Sequence, residues 1–115
     1  MPLLRLTTSA QPSNTAVQTL LRSVSRLVAE RLGKPEGYVM TSYAPATMTF
    51  AGGDAPCAFI ELKSIGRFSS TQTKELSQTL CSVVGEALRI APDRIYIEFA
   101  DAQAHLWGHD GDTFG

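Results

Sequence analysis

The amino-acid sequence predicts an α/β (α+β) domain in which a strand–helix–strand unit occurs twice. Two stretches carry apolar residues at the i, i+3, i+4, i+7 spacing of a helix with one buried face. Short apolar segments typical of strands flank each stretch. A shift of about 56 residues places the elements of the first half on those of the second. We therefore expect one domain, residues 1–115, with an internal pseudo-repeat of about 1–55 and 56–115.

The composition indicates a globular chain with a sparsely charged surface. Hydrophobic residues make up 43% of the 115 residues and charged residues 18%, which gives no compositional case for disorder. The formal net charge of -1 offers no basic excess for a phosphate backbone, so nucleic acid is not an expected partner. No segment approaches the roughly 18 consecutive apolar residues of a membrane span, so no membrane partner is expected.

The first unit starts with the apolar segment Leu4–Leu6. A helix should follow Ser13 and Asn14, whose side chains suit a helix amino terminus, and Gly33 should end it. Its buried stripe consists of Val17, Leu20, Leu21, Val24, Leu27, Val28 and Leu32. A second strand is predicted shortly after Pro35, through Tyr38, Val39 and Met40.

The second unit follows the same plan. Ile60–Leu62 corresponds to the first strand, and a helix should begin near residues 69–71 and close before Pro92. Its stripe consists of Leu76, Leu80, Val83, Val84, Ala87 and Leu88. Ile95–Ile97 is the predicted final strand of the unit.

Two strand–helix–strand units predict a four-stranded mixed sheet with both helices on one face. Each unit places its two strands parallel through a right-handed crossover. The strands look too apolar for water on the other face, given Leu4, Leu6, Ile60, Leu62, Ile95 and Ile97. Oligomerisation is therefore expected. Short edge strands are also predicted near Thr47–Phe50 and at Leu106–Trp107.

Pro2 would become the amino terminus if Met1 were removed, which a small second residue permits. The result is a secondary amine at the start of an apparently buried strand. An α-amino group has a reference pKa of about 7.7–8.0, and burial lowers it, so a neutral base becomes available for a proton next to a carbonyl. Position alone favours a Met-Pro start without a chemical role.

Several short segments form a distinctive series by their order and spacing: Met1–Pro2, Gly33–Pro35, Met48–Gly53, Pro56–Ala58, Ser64–Gly66, Pro92–Ile97 and Thr113–Phe114. On these segments the chain resembles, from end to end, the macrophage migration inhibitory factor family of the tautomerase superfamily. It implies a homotrimer whose three sheets enclose a central barrel, with active sites at subunit interfaces. It also implies a keto–enol tautomerase that uses Pro2 as its base and no cofactor.

The resemblance further implies which residues meet the substrate. Lys34 would contact the substrate's anionic group, and the Ser64–Ile65 backbone would hydrogen-bond to it. Tyr96 is expected from the neighbouring subunit, and apolar walls are expected from Leu3, Pro35, Tyr38, Trp107 and Phe114. The implied substrates are small aromatic keto acids such as phenylpyruvate and dopachrome-like quinones.

Two positions depart from the family's pattern. Ile60 stands where vertebrate members have a second cysteine, three residues after the one matching Cys57, so a CxxC thiol–disulfide activity is not expected. Glu98 stands where members commonly carry Asn at the pocket edge. Its carboxylate adds negative charge near an anionic substrate, which leaves the substrate preference open.

Other residues have competing interpretations. Cys57 and Cys81 read as small core residues. His105 and His109, four apart, have the spacing of a metal pair on a helix, but Gly108 argues against a helix there, so we predict solvated imidazoles and no metal. Structural roles also fit several of the site residues: Lys34 as a charge at a helix carboxyl end, Tyr96 as a sheet residue and Trp107 as interface packing.

An alternative function is a cytokine-type interaction protein with vestigial tautomerase activity, because animal members of the family signal through receptors. The amino-terminal segment lacks the basic and apolar regions of a signal peptide. A cytoplasmic location is expected, with secretion without a signal peptide left open.

Overall fold

The computed structural model describes residues 1–115 and contains four main strands, two long helices and a small hairpin. In chain order the elements are β1 Leu3–Thr8, α1 Asn14–Leu32, β2 Met40–Pro45, β3 Ala58–Ile65, α2 Ser70–Leu88, β4 Ile95–Ala102, β5 Gly108–His109 and β6 Asp112–Thr113. Single 3-10 turns occupy Glu36–Tyr38, Pro92–Arg94 and Ala104–Leu106. No helix is both long enough and apolar enough to cross a membrane.

Side-chain caps set the starts of both helices. The Ser13 hydroxyl accepts the backbone N–H of Ala16 at 3.1 Å, and the Ser69 hydroxyl accepts that of Gln72 at 3.1 Å. Gly33 ends α1 in the left-handed region with φ 62°. The second helix ends at Leu88, and the following Arg89 adopts the left-handed conformation with φ 57°. The helix therefore stops before the position at which Pro92 alone would end it.

The sheet confirms the predicted fold class. Its strand order is β2-β1-β3-β4, with β1 parallel to β2 and β3 parallel to β4. The two strand–helix–strand units meet through the antiparallel pair β1 and β3, in which Leu3 lies opposite Lys63 and Thr8 opposite Ala58. Both helices pack on one face of this sheet, over a core of fourteen buried residues.

The expectation of an apolar open face on the sheet was wrong. The strand residues that looked too apolar for water belong to the face that the helices cover, where Leu4, Ile60 and Leu62 are at most 1% exposed. The open face is mixed in polarity. Arg5 and Lys63 each lie 3.8 Å from a carboxylate oxygen of Glu61 on that face.

The predicted short strands are shifted or replaced by turns. Only Phe50 of the 47–50 segment pairs, through a bridge to Gly53. The Arg94 side chain instead satisfies carbonyls in this region, reaching those of Ala55 at 2.8 Å, Pro56 at 3.1 Å and Phe50 at 3.3 Å. Near the carboxyl end a 3-10 turn stops at Leu106, and the two-residue strand β5 begins only after Trp107.

Candidate active site

A cavity of about 480 Å³ opens at the end of the sheet where β1 and β2 begin and β3 ends. The amino-terminal residues, the 3-10 turn before β2 and the carboxy-terminal hairpin form its walls. Predicted site residues Pro2, Tyr38, Trp107 and Phe114 all line it, together with Leu3. The fold therefore brings together the predicted base and most of the predicted apolar wall.

Pro2 lies at the buried side of this cavity and is less than 2% exposed. Its carbonyl accepts the backbone N–H of Met40 at 3.0 Å, which ties the start of β1 to the start of β2. Met1 lies next to it on the cavity wall, and its amino group donates a hydrogen bond to the Tyr38 carbonyl at 3.2 Å. An amino terminus is thus held inside a cavity rather than in free solvent.

The electrostatic environment favours a neutral amine at this terminus. Burial lowers the pKa of the Met1 amino group below its ordinary value of 8.0, and the positive charge of Lys34 lowers it further. Lys34 itself does not line the cavity. It follows Gly33, and its backbone N–H donates to the Ala29 carbonyl at 2.9 Å. The side chain acts on the amino terminus through its charge.

Three rings form a cluster at the cavity wall. Tyr38 meets His109 and Phe114 edge-on, with both ring-centre distances at 5.7 Å. His109 and Phe114 stack at 5.4 Å with an angle of 20° between their planes. The Phe114 backbone N–H donates to the Trp107 carbonyl at 3.2 Å, so the hairpin geometry holds the cluster in place.

Among the lining residues that were not predicted for the site, Lys63 and His109 are the two with ionisable side chains. His109 was expected to be solvated and is exposed, but its ring also contacts Tyr38 and Phe114 at the cavity wall. His105 lies apart, in the exposed 3-10 turn. The chain contains no group of three or more His, Cys, Asp or Glu residues that could hold a metal ion.

Ser64 and Ile65 end β3 at the same end of the sheet as Pro2, since their neighbour Lys63 pairs with Leu3. Ser64 is 3% exposed, and its hydroxyl lies 3.4 Å from the Ile65 carbonyl. The Ile65 side chain lines a neighbouring depression with Arg67 and Leu106 instead of the cavity. Their backbone is near the proposed base, whereas their side chains are not in its cavity.

Tyr96 and Glu98 lie away from Pro2 within one chain. Tyr96 pairs in register with Phe59, four residues along the sheet from the level of Leu3, which corresponds to about 13 Å. Its side chain is 65% exposed and packs against Phe50 at 4.8 Å. Glu98 is exposed beside Glu61. Neither side chain lines the cavity within one chain.

Known proteins resemble this chain over its whole length. A family model described as macrophage migration inhibitory factor (MIF) matches residues 1–115. The macrophage migration inhibitory factor of Meriones unguiculatus is 36% identical over 115 residues, covering 99% of each chain. A homologue from Brugia malayi is 36% identical over 105 residues, covering 90% of this chain and 91% of its own length.

Solved structures agree with the sequence relatives. The macrophage migration inhibitory factor homologue from Prochlorococcus marinus has a TM-score of 0.93 and 43% identity, covering 98% of this chain and 99% of its own. The protein from Toxoplasma gondii has a TM-score of 0.91 and 28% identity, covering 97% and 99%. With a family model and relatives matched from end to end, this chain belongs to the macrophage migration inhibitory factor family.

Proposed function

We propose that this protein is a keto–enol tautomerase, of the phenylpyruvate tautomerase or dopachrome isomerase type, with Pro2 as its catalytic base. The observation that carries the proposal is the buried position of Pro2 beside a cavity in which the pKa of the Met1 amino group is lowered. Removal of Met1 converts the Pro2 nitrogen from an amide into a secondary amine in that same environment. The proposed substrates are small aromatic keto acids or quinones.

The proposed reaction moves one proton from carbon to oxygen. The neutral Pro2 amine takes a proton from the carbon next to the substrate carbonyl, and the C–H electron pair becomes the C=C bond of the enol. The carbonyl π pair moves to oxygen, which takes a proton from water. The amine returns its proton to solvent, and the reverse sequence regenerates the ketone. Lys34 and the Ile65 backbone would hold the substrate's anionic group from the same end of the sheet.

We further propose a homotrimer in which a neighbouring subunit completes each site. Tyr96 and Glu98 are two of the residues that the resemblance assigns to the site, yet both lie along the sheet from Pro2 in one chain. The sheet order leaves the outer edges of β2 and β4 unpaired within the chain. Open strand edges are suited to pairing with another copy, which would carry Tyr96 to the next cavity.

The test is a phenylpyruvate tautomerisation assay, followed by ultraviolet absorbance, on protein in which mass spectrometry shows Met1 to be absent. Pro2→Ala should lower kcat by roughly the 10²–10⁴-fold typical of losing a positioned acid–base group. A form that retains Met1 should be impaired to a similar extent, because an amide nitrogen has no basic lone pair. Wild-type rates in both forms would remove Pro2 from the mechanism.

The alternative is a MIF-like interaction protein in which tautomerase activity is vestigial. The relatives named macrophage migration inhibitory factor are compatible with this role as well as with the enzyme. The same assay separates the two functions. Absence of turnover in Met1-free protein, with a panel of enolisable aromatic keto acids and quinones, would favour the interaction protein.

A further inference from the structure

The cavity that contains Pro2 has a mostly apolar lining in which no side chain carries a carboxylate. Beside the amino terminus, its ionisable side chains are Tyr38, Lys63 and His109. No aspartate or glutamate lines it in the chain. A cavity with this lining favours ligands that carry negative charge or hydrogen-bond acceptors.

Lys63 is only weakly engaged by the protein. Its ammonium lies 3.8 Å from Glu61, and Glu61 also lies 3.8 Å from Arg5. One carboxylate is thus shared between two cations, and the Lys63 side chain remains 39% exposed. Exposed ion pairs of this kind contribute little, so the ammonium can turn to a bound anion at small cost.

His109 offers a second free donor on a different element. The chain's side-chain hydrogen bonds are made by other residues, and the imidazole is held instead by its ring contacts to Phe114 and Tyr38. Whichever tautomer is present, an imidazole carries at least one N–H donor. The ring stack therefore fixes a flat surface whose edge still has an unused donor.

From these contacts we infer that Lys63 and His109 form a second anion-binding subsite, which selects enolisable keto acids whose flat ring bears a further carboxylate. This inference rests on the proposed function and narrows its substrate class. Lys34, near the amino terminus, serves the anionic group of the keto acid, whereas Lys63 and His109 serve the second one. The stacked Phe114 and the Trp107 wall accept the ring between them.

Glu98 of a neighbouring subunit is the group that opposes this subsite in the proposed trimer. Its negative charge lowers the absolute affinity for any dianion. The test therefore measures how much the preference for a dianion over a monoanion changes when Lys63 and His109 are replaced. Glu98 is present in every protein that is compared. That change depends on Lys63 and His109 and not on the opposing charge.

The turnover experiment compares 4-carboxyphenylpyruvate with phenylpyruvate on Met1-free protein at low ionic strength. The readout is the ratio of kcat/KM for the dianion to kcat/KM for the monoanion. The double variant Lys63→Gln/His109→Phe, which keeps the ring stack, should lower this ratio about three- to tenfold. Lys74→Gln, an exposed lysine on α2, is the matched control and should keep the wild-type ratio.

A misfolded fraction lowers both rates together and leaves the ratio unaffected. An unchanged ratio in the double variant, with phenylpyruvate still turned over, overturns the subsite and leaves the tautomerase standing. Wild-type protein that turns over neither compound counts against the proposed function instead.

Binding affinities measured by isothermal titration calorimetry test for the subsite without any turnover. The probes are 3-(4-carboxyphenyl)propionate and 3-phenylpropionate, neither of which is a keto acid. Their affinity ratio should fall in the double variant by the same three- to tenfold factor. If the affinity ratio stays at its wild-type value, the subsite does not exist, whatever the protein catalyses.

Discussion

At the scale of single residues, Lys34 acts on the amino terminus from outside the cavity. The pKa of the amino group is lowered first by burial and then by this charge. In the proposed enzyme, kcat/KM rises with pH as the Pro2 amine loses its proton, and the same two causes lower the midpoint of this rise. Lys34→Gln removes the second cause, so the midpoint should move to higher pH, and activity should fall more on the acid side than on the alkaline side.

A pH profile of kcat/KM measures this shift, with Lys74→Gln as the control for removing a distant positive charge. A midpoint that stays in place in Lys34→Gln would mean that the lysine charge does not reach the working amine.

Glu98 is predicted to act in the opposite direction on the same amine. A carboxylate brought close by the neighbouring subunit favours the protonated form and raises the pKa of Pro2. Glu98→Asn should therefore lower the kinetic pKa and improve phenylpyruvate turnover. The measurement is again the pH dependence of kcat/KM. An identical profile for the two proteins would place the Glu98 side chain away from the site.

Sequence reasoning located the residues at the two ends of the chain better than those between them. Pro2 and Phe114 line the cavity as expected, because the resemblance spans both ends. Lys63 was missed because its place depends on the β1–β3 register, which puts it opposite Leu3. His109 was missed because only the hairpin geometry brings its ring onto Phe114.

At the scale of elements, α2 contains a glycine that its packing requires. A Cβ on Gly85 would lie 2.8 Å from the Ile90 carbonyl oxygen, a backbone atom. Although alanine stabilises an ordinary helix by about 1 kcal/mol relative to glycine, Gly85→Ala should destabilise this protein by roughly 1–3 kcal/mol. Urea unfolding measures the change. Ser82→Ala, an exposed position on the same helix, should be neutral or stabilising, and equal effects of both changes would refute the close contact.

Helices were predictable from local signals, and the short strands were not. Ser13 and Ser69 cap their helices as the sequence indicates, because a cap involves residues only three positions apart. The conformation of the segment Thr47–Phe50 depends on Arg94, which is 44 residues from Phe50 along the chain. The Arg94 guanidinium donates a hydrogen bond to the Phe50 carbonyl. No local pattern reveals such a partner.

At the scale of the whole molecule, the proposed trimer predicts a species of three times the 12.4 kDa chain in sedimentation. It also predicts complementation between two defective chains. Tyr96→Ala chains supply Pro2 and Pro2→Ala chains supply Tyr96, so co-refolding them should restore activity that neither has alone. A stable monomer at micromolar concentration, or no recovery on mixing, would contradict a shared site.

The pseudo-repeat correctly predicted which strands form the sheet. The expectation that the open face of the sheet is apolar was wrong. Repeated patterns reveal which strands pair, because each unit must build its own parallel pair. They do not reveal which strand residues turn away from the helices. Arg5, Glu61 and Lys63 alternate with the buried leucines and isoleucines, and this period of two gives the open face its charges.

The central pairing of β1 with β3 has a consequence for how the chain acquires its structure on the ribosome. Leu3 pairs with Lys63, sixty positions later in the chain, so the β3 side of β1 stays open until β3 has been synthesised. Until then the nascent first half can pair β1 with β2 but leaves the other edge of β1 open, and an open edge is prone to mispairing with other chains. Such distant pairing slows folding relative to a helical bundle of equal size. The cavity around Pro2 closes later still, because its wall also needs Trp107 and Phe114 near the carboxyl end of the chain.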